Sequence, residues 1–273
     1  VLIHHLVNLV GRGLTPRNIV SYSSQSWNFE LLRKYADFII AYPHLQRQLK
    51  DLFPKQKVLV VILGGIPDEW FQNVDNLSKY LRKPKYSLIT YIGGIRPYKR
   101  LHYLIEAYKR LSSKASRKAL GLIIAGSAES VYLRKLIAMT RKLGPASHHV
   151  KIVGHYVSEK LKIEILRRSR VFVNPSVEEG FSIAIAEALL HANKVVVMEE
   201  LRDVVKTYYR TALENDSLFI AKDLDDLSEK ILYALSSVIT KKAYRCILEE
   251  LRKFSWSRVS LSLADLIANL VKR

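Results

Sequence analysis

Two glutamates, Glu179 and Glu187, are the side chains of this sequence with the clearest chemical potential, because a Gly-Phe-Ser turn directly follows the first. The run Arg170–Val173 predicts a strand before the turn, and a helix is expected after it. At about 1.5 Å of rise per residue, one carboxylate lies at the start of this helix and the other roughly two turns along. The free N–H groups of Phe181–Ile183 would bind an anion through unpaired donors and the helix dipole. A phosphate flanked by hydroxyl-binding carboxylates is the pattern that a nucleotide-sugar needs.

In the alternative interpretation, Gly180 only separates the strand from the helix and both acids are solvated. A second group of charges bears on this choice, because Arg96, Lys99 and Arg100 follow a predicted strand at Ser87–Ile92. Ligands of open α/β sheets bind beyond the carboxyl ends of the strands. Cations in that place would stabilise a leaving diphosphate. For Arg100 we favour the plainer interpretation of an exposed loop cation.

The elements that must position these residues alternate along the chain. Apolar runs of strand length alternate with helical patterns from Leu88 to about Leu201, which predicts βαβ units and a parallel sheet. The expected strands are Ser87–Ile92, Gly121–Ala125, Val150–Val153, Arg170–Val173 and Lys194–Met198. The expected helices are Leu101–Leu111, Ser130–Lys142, Ser158–Arg168, Ser182–Ala192, Asp225–Ser237, Lys241–Lys253 and Arg258–Arg273.

The segment Asn174–Ala188 resembles the E-x7-E signature of the retaining glycosyltransferases of family 4, also described as glycosyl transferases group 1. Tyr91–Ala107 resembles the strand, loop and helix that open the nucleotide-sugar-binding domain of that family. The other matching segments follow in the family's order, over a resemblance that runs from about Ala36 to Trp256: Leu122–Gly126, Tyr132–Leu136, Val150–Val157 and Phe254–Trp256. The resemblance implies an α/β protein of the GT-B fold and a hexosyltransferase-like enzyme.

Three parts are expected on this basis. Residues 1–78 form a shortened, acceptor-side α/β domain with the start of a linker, and residues 79–256 form a complete Rossmann-like nucleotide-sugar-binding domain. Residues 257–273 form a C-terminal helix that crosses back to the first domain. The first half of the family's N-terminal domain has no counterpart here, and the chain begins with Val1. Either the sequence is trimmed, or the protein is naturally short.

Within the first part, the apolar patterns predict three strands and two helices. The expected strands are Val1–Val10, Phe38–Tyr42 and Val58–Leu63, and the expected helices are Trp27–Tyr35 and His44–Leu52. The linker is expected over Asp68–Tyr86, which is polar.

The resemblance also implies roles for individual residues. Glu179 matches the acid near the transferred sugar, Lys99 the phosphate-binding lysine and Glu187 the ribose-binding acid. Gly94 stands where the family has an arginine, and Arg96 would substitute for it. His5 takes the place of a histidine that faces the sugar, although a structural histidine fits equally well. The expected catalytic set is thus Glu179, Lys99, Arg96 and His5, and the expected donor-binding set is Glu187, Gly180, Phe181, Ser182, Ile183, Gly93, Gly94, Gly154 and Tyr156.

Two residue pairs could suggest a metal site, but each has a plainer explanation. His148 and His149 are adjacent, and adjacent strand residues point to opposite faces. Asp223 and Asp225 resemble a metal-binding acidic pair, but they stand where a helix N-cap is expected. The lone Cys246 makes no disulfide. We therefore expect no cofactor or metal besides a UDP- or GDP-sugar, and the form of the first loop leans slightly towards GDP-mannose.

The formal net charge of the 273 residues is +19. Nucleic acid is the least favoured reason for it, because the basic residues are spread along the chain rather than clustered with aromatic residues. An anionic membrane surface and plain solvated surface remain as alternatives. Apolar and basic residues alternate over positions 31–57 as in interfacial helices: the apolar ones are Leu31, Leu32, Leu45, Leu49, Leu52 and Phe53.

The sequence therefore predicts a cytoplasmic enzyme, with peripheral attachment to the inner membrane face as an alternative, and a glycan or lipid-linked acceptor. The rival hypothesis is a catalytically impaired nucleotide-sugar-binding module that works with a partner chain. The missing N-terminal half and Gly94 favour the rival, and the paired glutamates favour the enzyme. The oligomeric state stays open.

Overall fold

The computed structural model describes residues 38–55, 57–60, 62, 64–72, 87–114 and 120–271. The elements expected at Val1–Val10 and Trp27–Tyr35 lie outside these residues. The strands are β1 (Phe38–Ala41), β2 (Lys57–Val60), β3 (Leu88–Ile92), β4 (Gly121–Ala125), β5 (Val150–Val153), β6 (Val171–Asn174), β7 (Lys194–Met198) and β8 (Leu218–Ala221). The helices are α1 (Gln46–Leu52), α2 (Asp68–Gln72), α3 (Leu101–Lys114), α4 (Ser130–Arg141), α5 (Glu159–Arg168), α6 (Ile183–Leu190), α7 (Arg202–Tyr208), α8 (Arg210–Glu214), α9 (Leu224–Ser236), α10 (Lys241–Leu251) and α11 (Trp256–Val271).

Strands β3 to β8 form one parallel sheet in the order β5-β4-β3-β6-β7-β8. The five strands expected here are confirmed to within one residue at each end. Strand β8 was not expected, since it follows Leu201, where the regular alternation of strand and helix patterns ends in the sequence. The order of the strands reverses direction between β3 and β6. This is the doubly wound arrangement, which leaves a crevice beyond the carboxyl ends of those two strands.

Both faces of this sheet are covered by helices, as a parallel sheet requires. Val195 and Val197 of β7 point into a core shared with α6 and α10, whereas Val196 and Met198 point into a core shared with α3 and α9. The alternation follows from the two-residue period of a strand. It explains why β7 reads as an uninterrupted apolar run in the sequence.

The N-terminal described residues form a small βαβ unit, in which β1 and β2 pair in parallel and α1 connects them. Leu45, Leu49 and Phe53 are buried in a core that this unit shares with the six-stranded unit. This packing favours the plainer alternative for that part of positions 31–57, whereas Leu31 and Leu32 lie outside the described residues and membrane attachment stays a prediction. None of the described helices is both long and apolar enough to cross a membrane.

The small unit joins the six-stranded unit through two crossing segments. Ile66 donates its N–H to the carbonyl of Phe254 at 2.8 Å and accepts from the N–H of Trp256 at 2.9 Å. Helix α2 follows, and its Asp68 accepts hydrogen bonds from the N–H and the hydroxyl of Ser257 at 3.0 and 2.6 Å. The linker expected over Asp68–Tyr86 thus begins as a helix, and its carboxylate caps the start of α11.

Candidate functional site

Two loops meet in the crevice of the six-stranded sheet. The first loop (residues 93–100) follows β3, and the acidic loop (residues 175–182) follows β6. The N–H of Val177 donates to the carbonyl of Tyr98 at 3.0 Å, which ties the two loops together. The structure thus brings the loop of the predicted cations next to the loop that carries Glu179.

A close backbone contact sets the path of the first loop. Gly126, which follows β4, has a φ of 144°, and a Cβ atom added to it would lie 2.0 Å from the carbonyl oxygen of Gly93. Gly93 donates its own N–H to Ala125 at 2.9 Å. A side chain at position 126 would force the first loop away from β4, so the glycine is required by space as well as by its φ.

The Glu179 carboxylate stands at the centre of a polar network. Its Oε1 atom accepts from Lys99 Nζ at 2.7 Å, from Asn174 Nδ2 at 2.8 Å and lies 3.0 Å from the Ser176 hydroxyl. The side chains of Lys99 and Glu179 are only 12% and 13% exposed. Such charge-assisted bonds are shorter and stronger than neutral ones. A negative and a positive group are thereby held in fixed positions at the carboxyl end of β6.

Asn174 and Ser176 did not stand out in the sequence as site residues. Both are buried, and the Asn174 Oδ1 atom accepts from the Ser176 N–H at 3.2 Å. Their signal was the Asn-Pro-Ser stretch at the end of an apolar strand, just before the acids. Amide and hydroxyl groups that end a buried strand in this way need polar partners, and Glu179 is the partner.

The acidic loop reaches helix α6 through one residue in an unusual conformation. Ser182 has a φ of 54° and a ψ of 67°, in the left-handed region, and its hydroxyl accepts from Asn174 Nδ2 at 3.1 Å. The helix begins at Ile183, one residue later than expected. This start lies beside the Lys99–Glu179 pair, as the predicted anion site requires.

Aromatic packing fixes the turn. The Phe181 ring lies 5.8 Å from Tyr209 and 4.9 Å from Phe254, measured between ring centroids. The Tyr209 hydroxyl donates to the carbonyls of Phe181 and Ser182, at 2.5 and 3.0 Å. The side chain of Phe181 therefore anchors the loop, and only its backbone is available for a ligand.

Glu187 lies within helix α6, and its environment differs from that of Glu179. The residue is 7% exposed, and Lys162 on α5 donates to its Oε1 atom at 2.5 Å. Lys162 also contacts Glu159 at 2.9 Å. Burial raises the pKa of Glu187, and the attraction of Lys162 opposes the rise without cancelling it. Sequence reasoning missed Lys162, because nothing in the pattern of α5 distinguishes it from the solvated lysines around it.

Arg96 is exposed, and its side chain lies over Gly94: a Cβ atom added to that glycine would be 3.6 Å from the Arg96 Nε atom. Arg100 has a φ of 48°, pairs with Glu200 and lies over the ring of Tyr103. The two arginines therefore differ. The Arg96 side chain lies within van der Waals contact of a side chain that would begin at position 94, whereas Arg100 is committed to contacts away from Glu179 and Glu187.

The remaining predicted residues are less closely involved. Gly154 is half-buried, and a Cβ atom there would lie 2.5 Å from the Leu133 side chain. Tyr156 is 76% exposed, so its side chain is not packed into the crevice. His5 lies outside the described residues.

The residue pairs considered as metal ligands belong to the ends of helices. His149 ends a 3₁₀ helix together with His148, and the Asp223 carboxylate caps α9 by accepting from the N–H groups of Asp225 and Asp226 at 2.9 Å each. The N-cap expected at Asp223 is confirmed. In the part of the chain that the structure describes, no three His, Cys, Asp or Glu residues are grouped to hold a metal ion.

The small N-terminal unit contributes one side chain to the edge of the site. The Tyr42 ring, which follows β1, lies so close to Gly180 that a Cβ atom added there would be 2.6 Å from it. Burial and the negative charge of Glu179 both raise the pKa of the Tyr42 hydroxyl. The glycine after Glu179 thus serves the approach of a second structural unit, which the sequence could not show.

Solved structures of similar fold support the architecture. Sucrose-phosphate synthase of Thermosynechococcus elongatus matches with a TM-score of 0.72 and 16% identity, over 98% of this chain and 67% of that one. An α,α-trehalose-phosphate synthase (UDP-forming) of Burkholderia vietnamiensis gives a TM-score of 0.72 and 14% identity, over 93% and 64%. An E. coli structure described as trehalose-6-phosphate bound with UDP-2-fluoro glucose gives 0.70 and 14%, over 93% and 65%. The chain spans about two thirds of the length of these structures.

No curated protein matches the sequence of this chain. The model of the family described as glycosyl transferases group 1 matches residues 72–248, well over half of the 273 residues. The α/β GT-B fold class and the enzyme class, a glycosyltransferase, are confirmed in this way. The match covers β3 to β8 and both loops of the site, and the chain belongs to the glycosyl transferases group 1 family.

Proposed function

We propose that the chain transfers a sugar, with retention of configuration, from a nucleoside diphosphate sugar in the manner of glycosyltransferase family 4. The carrying observation is the Lys99–Glu179 contact of 2.7 Å beside the start of α6. It brings a fixed cation, a fixed anion and free helical N–H groups to one place in the crevice. Glu187 lies on the same helix, so both acids of the E-x7-E pattern line one binding path.

The diphosphate would bind between the start of α6 and two cations of the first loop, Arg96 and Lys99. Departure of the diphosphate leaves positive character on the sugar and increases negative charge on the phosphates. Lys99 and the α6 N–H groups would stabilise that negative charge, and Glu179 would lie close to the sugar. Arg96, which overlies Gly94, is proposed as the second cation on the diphosphate. These groups act without a divalent metal, which is part of the proposal.

The nucleoside would bind further along the crevice. Glu187 would accept hydrogen bonds from the ribose hydroxyls, and the base would rest against the backbone of residues 154–157. UDP is supported by the E. coli structure described as bound with UDP-2-fluoro glucose, whereas the form of the first loop favours GDP-mannose. In domain terms, residues 79–256 would hold the donor. The acceptor, a glycan or a lipid-linked molecule, stays a prediction from the sequence.

The test is donor binding followed by turnover. A thermal-shift screen with UDP, GDP and their sugars should raise the melting temperature for one base, because a ligand that binds only the folded state stabilises it. Hydrolysis of that donor should then be measurable and should depend on Glu179. A chain that binds the donor but neither hydrolyses nor transfers it would support the rival hypothesis of an impaired binding module. Absence of binding by every donor would refute the proposal itself.

A further inference from the structure

Lys162 is the one cation described in contact with Glu187. Its Nζ atom lies 2.5 Å from Glu187 Oε1 and 2.9 Å from Glu159 Oε2. The side chain of Glu159 is half exposed, whereas those of Lys162 and Glu187 are 17% and 9% exposed. Lys162 therefore joins one carboxylate inside the crevice to another at its surface.

An aromatic side chain from a distant segment holds Lys162 in place. The Trp70 ring, on helix α2, lies with its centroid 5.1 Å from Lys162 Nζ, in cation–π geometry. The same ring meets His191, at the end of α6, edge to face with centroids 5.3 Å apart. Helix α2 lies at the junction of the small unit and the six-stranded unit. Trp70 therefore connects this junction with the end of the crevice where Glu187 lies.

The electrostatics explain why the cation matters. The Glu187 carboxyl group faces Lys162 and Glu159 of α5 and Tyr209 from the turn after α7, and the Nδ1 atom of His191 lies 2.8 Å from the backbone carbonyl of Glu187. Burial raises the pKa of the Glu187 carboxyl, and Lys162 provides the attraction that limits the rise. Burial by itself lowers the pKa of Lys162, but Glu187 and Glu159 together raise it above its usual value. Removal of Lys162 would therefore leave a buried carboxyl group without its cation.

We propose that Lys162, held by Trp70, is a positioning residue that keeps the Glu187 carboxylate aimed at the ribose hydroxyls of the donor. Lys162 engages the Oε1 atom, and the carboxylate is thereby fixed in one orientation. The inference rests on the proposed function, because it assumes that Glu187 binds the ribose. A purely structural ion pair would stabilise the fold but would leave donor affinity and its pH dependence unchanged.

The experiment measures donor binding by calorimetry over a range of pH. The probe is UDP-glucose or GDP-mannose, chosen as the one that binds the parent chain, because their diphosphates stay ionised from neutral to mildly acidic pH. Lys162→Met should weaken binding at neutral pH by about tenfold or more, which corresponds to ~1.4 kcal/mol. The loss of affinity on acidification should also begin at higher pH than in the parent, since the pKa of Glu187 rises when the cation is removed.

Three further variants sharpen the result. Lys162→Arg keeps the charge and should restore most of the affinity. Trp70→Leu should weaken binding in the same direction by less. Lys160→Met is the matched control, because Lys160 is an exposed lysine of the same helix, and it should bind the donor as the parent does.

Two outcomes separate this inference from the function on which it rests. If Glu187→Gln binds the probe as the parent does, or if no donor binds the parent, the proposed function fails. If Glu187→Gln weakens binding but Lys162→Met leaves affinity and pH profile unchanged, only the inference fails. Should Lys162→Met not fold, the neutral double variant Lys162→Met/Glu187→Gln replaces it. Its affinity should equal that of Glu187→Gln, whereas an affinity clearly below that of Glu187→Gln would overturn the inference.

Discussion

Glu179 and Glu187 both contact a lysine, yet their surroundings differ. Glu179 belongs to a loop and accepts hydrogen bonds from an amide and a lysine at the open end of β6. Glu187 belongs to a helix, is more deeply buried and depends on Lys162 alone among the described cations. The first carboxylate is held by several donors that satisfy its charge. The second is held against the cost of burial by one cation, and we infer that chemistry occurs at the first and binding at the second.

The largest expected effect is a loss of turnover on removal of Lys99, the partner of Glu179. Lys99→Ala should reduce kcat by about 10²–10³-fold, the range for removing one group that stabilises charge in the transition state. Nucleotide affinity should change much less, because the charge on the diphosphate grows as it leaves. Kinetics of donor hydrolysis and calorimetry with UDP and GDP measure the two effects.

The matched control for this prediction is Arg100→Ala. Arg100 belongs to the same loop but pairs with Glu200, so the variant should retain the parent's kcat. An unchanged rate in Lys99→Ala, or equal losses in both variants, would contradict the assignment of chemistry to the Glu179 end.

A smaller effect, on binding rather than on turnover, is expected on removal of Glu187. Glu187→Ala should weaken nucleotide binding by about 1.5–3 kcal/mol, which is the range for hydrogen bonds to a charged group. Calorimetry with UDP and GDP measures it. Glu164→Ala is the control, because Glu164 is an exposed glutamate of α5. Equal affinity of the parent and the Glu187 variant for both nucleotides would contradict the assignment of nucleotide binding to Glu187.

Acid sensitivity of the fold must be kept apart from that of the site. Burial lowers the pKa of His44 to about 4, although Asp203 opposes the shift, and the His44 Nδ1 atom lies 3.0 Å from the Tyr208 hydroxyl. A depressed pKa means that the stabilisation is present above the unfolded value of about 6.5 and is lost as the pH falls through about 4. Between these values the free energy of unfolding should fall by about 1–3 kcal/mol.

Urea unfolding of His44→Gln at several pH values tests this contribution. The variant should be less stable than the parent near neutral pH and should lose less stability on acidification. His148→Gln, which changes an exposed histidine, should keep the parent's pH dependence. If both variants behave alike, the buried His44 imidazole is not the source of the acid sensitivity.

No effect on activity is expected from the removal or addition of divalent cations. Activity should be the same with EDTA and with added Mg²⁺ or Mn²⁺, because Lys99 and the helix start are proposed to stabilise the diphosphate by themselves. Loss of activity in EDTA that either cation restores would show that the Glu179 end works with a metal.

Much of the fold was predictable, and for a physical reason. Strands β3 to β7 were expected within one residue, because their apolar runs alternate with helical patterns along the chain. Strand β8 and the short helices α7 and α8 were missed, since they follow Leu201, where that alternation ends. The choice between an interfacial helix and a packed one stayed open in the sequence, because an amphipathic segment has the same pattern whether its apolar face meets lipid or a protein core.

The site divides in a similar way. The contact between Lys99 and Glu179 was foreseeable, because both follow strands of one parallel sheet and the carboxyl ends of such strands lie at one edge. Asn174 and Ser176 were within the recognised segment, but their roles were not, since hydrogen-bond direction depends on side-chain geometry.

By itself, the sequence determined the class of fold, the family resemblance and the two acids on which the proposal depends. These features are local: they depend on period, turn residues and spacing along one segment. Only the tertiary structure decided that Lys162 holds Glu187, that Trp70 holds Lys162 and that Tyr42 packs against Gly180. Each of these contacts joins residues 25 or more positions apart. Their partners are selected by how the helices and the two units pack, which no local pattern encodes.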